Sequence, residues 1–125
     1  MLRLRHGRVI LSALICLAQI ALATAENDRV AELIRAIHQA NAMDMELGQL
    51  AFAKGQNASV KDFGQQMVMN HKDSDAKLLQ IAEKEKWTLP ASTENYRDDW
   101  EKLNAKSGAE FDKAYIDLVS DQHVS

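Results

Sequence analysis

Residues 27–54, NDRVAELIRAIHQANAMDMELGQLAFAK, decide the fold. The stretch has no Pro and a single Gly, Gly48, and its apolar residues Val30, Leu33, Ile34, Ile37, Ala40, Leu47, Leu50 and Ala51 recur at steps of three and four. That recurrence marks an amphipathic helix. Gly55-Gln56-Asn57 ends it, with Gly55 where a left-handed cap suits glycine. Ser59 then caps a second helix, with Asp62 at its third position. Its expected buried stripe is Val60, Phe63, Met67, Asn70 or His71, Ser74, Leu78, and Ile81 or Ala82, running to near Lys86. Each helix has about 28 residues, or ~42 Å at the α-helical rise. Equal lengths and a short turn predict an antiparallel hairpin.

Further along, Trp87-Thr88-Leu89-Pro90 breaks the pattern, because Pro is excluded from a helix interior. A shorter amphipathic piece spans about Thr93 to Ala105, with Tyr96, Trp100 and Leu103 on one side. Ser107-Gly108-Ala109-Glu110 reads as a capping box. A last helix follows, with Phe111, Ala114, Tyr115, Leu118 and Val119 as its core face, and it stops at Ser125 in mid-pattern. At roughly 18 residues it would span ~27 Å. The expectation is an all-α, up-down four-helix bundle whose last helix is truncated. Part of the hairpin's apolar stripe would stay uncovered, available to a protein partner or to self-association.

In the other direction, Arg3, Arg5 and Arg8 precede the 15-residue apolar run Val9 to Ala23, followed by Ala23-Thr24-Ala25. This is the order of a secretory signal peptide cleaved after Ala25, giving a leader over residues 1–25 and a domain over 26–125. The run is shorter than the ~20 residues of a membrane span, so no transmembrane segment is expected in the mature chain. Cys16 follows Ile15 in mid-run, which does not fit lipoprotein processing, and the arginines are not paired for twin-Arg export. A periplasmic or secreted location follows.

The full chain has 125 residues, 15 basic and 18 acidic, a net charge of −3. Without residues 1–25 the charge becomes −6, and the only Cys is gone. A Cys-free, acidic chain excludes a disulfide framework, a Cys-based zinc site and nucleic-acid binding. There is no Gly-x-Ser-x-Gly elbow and no Gly-rich phosphate loop. Nothing points to an enzyme, and no cofactor is established by these residues.

Three His remain, His38, His71 and His123. Phe63-x3-Met67-x3-His71 and Tyr115-x3-Val119-x3-His123 each align an aromatic, an apolar residue and a His along one helix stripe. Asp44 and Glu46 lie near the middle of the first helix, and Asp75 lies one turn beyond His71. Asp44, His71 and His123, with Glu46 or Asp75, form a ligand set for a divalent metal. The competing reading is a buried hydrogen-bonded layer of His71 and His123 with Asp44 or Asp75 that fixes helix register. Val68 and Ser120 stand where Glu-x-x-His would need Glu, so the di-iron signature fails. Met43, Met45, Met67 and Met69 read as core packing rather than a copper site. His38 reads as a boundary or surface residue.

These residues carry a resemblance. Met43-Asp-Met-Glu-Leu-Gly-Gln-Leu-Ala51, Val60-Lys-Asp-Phe-Gly-Gln-Gln-Met67 with Asn70-His71, Lys86-Trp-Thr-Leu-Pro90, and Ser107-Gly-Ala-Glu-Phe-Asp-Lys-Ala-Tyr115 with His123 look like the bacterial domain of unknown function 4142 (DUF 4142). The resemblance implies an exported, ferritin-like helical bundle with no established activity. Two features depart from the family's pattern. Asn70 stands where that pattern has Asp before His71, and Asp44 where it has Glu. The family also continues past the second His.

Overall fold

A computed structural model describes residues 6–91 and 96–124, with side chains from 16 to 91 and from 96 to 122. Arg3, Arg5, the start of the third helical piece at Thr93 and the side chain of His123 lie outside the described residues. Four helices are present, and no strand occurs among the described residues: α1 (His6–Lys54), α2 (Ala58–Glu85), α3 (Arg97–Asn104) and α4 (Gly108–Val124). The fold is an all-α bundle. The chain divides into two compact units, Met1–Ile34 and Arg35–Ser125.

The first unit is helical from His6 onward. The helix begins well before Asn27, because the Leu- and Ala-rich apolar run has strong helix formers and no Gly or Pro to stop it. Leu17, Ile20 and Leu22 are exposed. No helix among the described residues is long and apolar enough to cross a membrane.

In the second unit, residues 35–54 of α1 and the whole of α2 form the antiparallel hairpin. The pairs His38/Asp75, Asn41/His71 and Gly48/Gly64 run in opposite directions along the two helices. The helices cross closest at Gly48 and Gly64. A Cβ on Gly64 would stand 2.6 Å from the Gly48 carbonyl oxygen and 2.8 Å from Ala51 Cβ, and one on Gly48 would stand 2.7 Å from the Gly64 oxygen. Only glycine permits that approach. α4 lies over the hairpin and α3 packs beside it. The core is Met43, Leu47, Leu50 and Ala51 of α1, Val60 and Met67 of α2, Leu103 of α3, and Phe111, Tyr115 and Val119 of α4. The Phe111 and Tyr115 rings stack at 6.1 Å, and Phe63 meets Tyr115 edge-on at 6.3 Å.

The buried stripes agree with the expected ones at Ile34, Leu47, Leu50, Ala51, Val60, Met67 and Ala82, and depart from them at particular positions. In α2, Gly64 and Asp75 are buried, whereas Phe63 is 50% exposed and Ser74 is exposed; of the alternatives Ile81 and Ala82, Ala82 is the buried one. In α1, Val30, Leu33 and Ile37 are exposed, and Ala31 and Asn41 are buried. Bulky apolar side chains drew the expectation at most of these positions. The true face there instead uses small and polar residues, which let two backbones approach and bond.

The caps also differ from expectation. Asn57, not Ser59, caps α2, accepting a hydrogen bond from the Ser59 N–H at 2.9 Å. Gly55 has no positive φ; its Cβ position would lie 2.7 Å from the Ala51 oxygen, so close approach selects glycine there. The left-handed residues are Lys86 (φ 59°), which closes α2, and Gly108 (φ 60°), which opens α4. Glu110 turns to Lys106 at 2.6 Å rather than back to the helix start. Asp112 accepts the Gln56 and Asn57 N–H groups, each at 2.8 Å, and so ties α4 to the hairpin turn.

Candidate functional site

Along the α1–α2 interface, beyond the glycine crossing, runs a seam of polar side chains. α1 contributes His38, Asn41 and Asp44 at three-residue steps, and α2 contributes His71 and Asp75 one turn apart. His38 Nδ1 lies 2.7 Å from Asp75 Oδ1, and His38 Nε2 lies 3.0 Å from the Pro90 carbonyl oxygen. A carbonyl can only accept, so Nε2 carries hydrogen.

Asn41 Nδ2 donates to the same Asp75 oxygen at the long limit of 3.5 Å, which turns its Oδ1 toward His71 Nδ1 at 2.9 Å. His71 Nδ1 is then the donor, and its Nε2 faces Asp44 Oδ2 at 3.4 Å. The bonds from His71 to Asn41 and from Asn41 to Asp75 thus run in one direction, set by the Asp75 carboxylate that accepts from Asn41. Asp75 and Asp44 are buried, at 7% and 8% exposure. Among the described residues, every buried side-chain nitrogen or oxygen has a partner.

The segment after α2 is part of this arrangement. Arg35 Nε donates to the Thr88 carbonyl at 3.1 Å, so Arg35 and His38 together hold residues 88–90 against α1. On the other side of the seam, the Tyr115 hydroxyl donates to Met67 Sδ at 3.5 Å. Burial, and secondarily the Asp44 charge, push the Tyr115 hydroxyl up to about 12.

The structure brings Asp44 and His71 together as the sequence suggested, and pairs Asp75 with His38 instead of His71. Asn41 and the part His38 plays in the seam were missed: His38 sits at the boundary, as expected, with its side chain 15% exposed, and both its ring nitrogens are engaged. Their signal was the three-residue spacing of His38, Asn41 and Asp44 between Ile34 and Leu47. Among the described residues, no three His, Cys, Asp or Glu side chains are grouped so as to hold a metal ion.

Glu46 points elsewhere. With Gln49, Leu50 and Ala53 of α1 and Arg97 and Trp100 of α3, it lines an open pocket of about 530 Å³.

The chain fits the family model Domain of unknown function (DUF4142) over residues 16–125. The chain belongs to the DUF4142 family. No curated protein and no solved structure matches this DUF4142 chain.

Proposed function

We propose that this DUF4142 protein is an exported helical bundle that works in the cell envelope by binding and catalyses no reaction. The observation that carries this reading is the closure of the polar seam on itself. Both ring nitrogens of His38 and of His71 face groups of the fold, so neither imidazole is poised to take a substrate proton. Export is supported by the basic start, apolar run and Ala23-Thr24-Ala25 of the leader, and by the exposure of Leu17, Ile20 and Leu22. A partner or self-association is supported by exposed Phe52, Phe63, Met69, Leu79, Ile81 and Ile116 in the second unit. A ferritin-like character is what the family resemblance implies.

A metal-binding alternative draws on the approach of His71 to Asp44, with His123 as third ligand. One experiment separates the two readings. The full chain is expressed in a bacterium, the envelope fraction is purified, and its N-terminus and metal content are measured for wild type, His71→Ala and His123→Ala. A chain beginning at Glu26, free of stoichiometric metal, with His71→Ala lowering the melting temperature, is the expected result. Stoichiometric metal lost in either variant would establish the metal site instead, and an unprocessed cytoplasmic chain would overturn export.

A further inference from the structure

The pocket between α1 and α3 has a composition that selects a ligand. Glu46, Gln49 and Ala53 follow one another at three- and four-residue steps along α1, while Arg97 and Trp100 lie three apart on α3. These spacings place each set along one helix face. Leu50 is a buried core residue and Trp100 packs against the core, so the apolar floor is the outer side of that core. Among the described residues, the walls carry one carboxylate, one guanidinium and one amide, with the two charges on opposite helices. Arg97 meets Glu101 through Nε at 3.4 Å, a contact that engages one of its five N–H donors.

We propose that this pocket binds a small zwitterion with an apolar side group, a free amino acid or dipeptide. Its ammonium faces Glu46, its carboxylate faces Arg97, and its side group lies on Trp100 and Leu50. A simple anion would be brought beside Glu46 and a simple cation beside Arg97, so only a ligand carrying both charges is matched by both walls. The pocket volume lies within the ~300–1,000 Å³ of small-molecule sites. This inference rests on the binding reading above and gives it a ligand class.

The test uses the full chain exported with its leader, in a Trp87→Phe background so that Trp100 is the fluorescent reporter. The probes are leucine, leucyl-leucine, leucinamide and N-acetylleucine, each titrated to about 10 mM, well above a millimolar Kd. Leucine or leucyl-leucine is expected to give a saturable change. Removing either ligand charge should weaken binding about tenfold, the loss of one charge-assisted contact. Glu46→Gln should erase the penalty for the N-acetyl compound, and Arg97→Gln the penalty for the amide. Both side chains are exposed, and circular dichroism checks that each variant is folded. Equal binding of the amide and the free acid, or of the N-acetyl compound and the free amine, overturns the zwitterion. Absence of any saturable change in folded protein also overturns it, while leaving the binding reading standing. Leucyl-leucine recovered as leucine would instead overturn the non-catalytic reading itself.

Discussion

Two stretches of one helix–helix interface solve the same problem in opposite ways. At Gly48 and Gly64 the two backbones touch, and no side chain stands between them. A few turns away, at His38, Asn41, His71 and Asp75, the contact consists of side-chain hydrogen bonds. The glycine crossing sets how near the helices come. The polar seam sets register, because sliding one helix by a turn would leave buried donors and acceptors without partners. Proximity comes from missing atoms and alignment from atoms that must be satisfied.

The seam should be the more fragile of the two. Asp75→Ala removes the acceptor from both His38 and Asn41, and breaking such a buried pair is expected to cost about 3 kcal/mol in a urea melt. Replacing both His38 and Asp75 by Leu should recover most of that loss, since no lone polar group then remains. A single variant as stable as wild type would show that the seam contributes nothing to alignment. At the crossing, Gly64→Ala forces a Cβ against the Gly48 oxygen, with an overpacking cost of about 2 kcal/mol even after the better helix propensity of Ala. Combined with Gly48→Ala the losses should not add, because both report one contact. A stabilised Gly64→Ala protein would mean that the backbones part easily.

These two stretches also divide what could be read from the sequence. The hairpin, the break at Pro90 and the α4 face of Phe111, Tyr115 and Val119 were legible, because apolar spacing and Pro state them directly. Parts of the α1 and α2 faces were not. Val30, Leu33, Ile37 and Phe63 look like core residues by hydrophobicity, yet the interface uses Asn41, Gly64 and Asp75. Glycine and aspartate signal loops or surface in a single helix; only the partner helix makes them interior residues. Asp44 and His71 were found as polar groups that a bundle must satisfy; spacing alone could have placed His38 beside Asn41 and Asp44, but not the Pro90 carbonyl that His38 Nε2 meets.

Two smaller effects test neighbouring supports of the same interface. Tyr115 holds its proton more tightly when folded, first because it is buried and then because Asp44 is near. In the unfolded chain the hydroxyl ionises near its ordinary value, so its contribution is complete below about pH 10 and lost as pH rises toward 12, by of order 2 kcal/mol. Tyr115→Phe should flatten that alkaline loss in melts recorded from pH 9 to about 12; an unchanged slope would place its origin elsewhere. The smallest effect should come from Asp112→Asn, which weakens two bonds to the hairpin turn and should cost about 1 kcal/mol, read as faster hydrogen exchange at Gln56 and Asn57.

The long α1 carries one more consequence. No acidic residue precedes Glu26 in the sequence, so none offsets the positive end of the peptide dipoles at the start of this helix. Cleavage after Ala25 would make Glu26 and Asp28 the opening residues of the remaining helix. Two carboxylates that were mid-helix would then sit where peptide dipoles favour negative charge, against the single positive charge of the new amino terminus. Removal of the leader would thus do more than shorten the chain: the maturation cut itself would supply the helix with the electrostatic start that the precursor lacks.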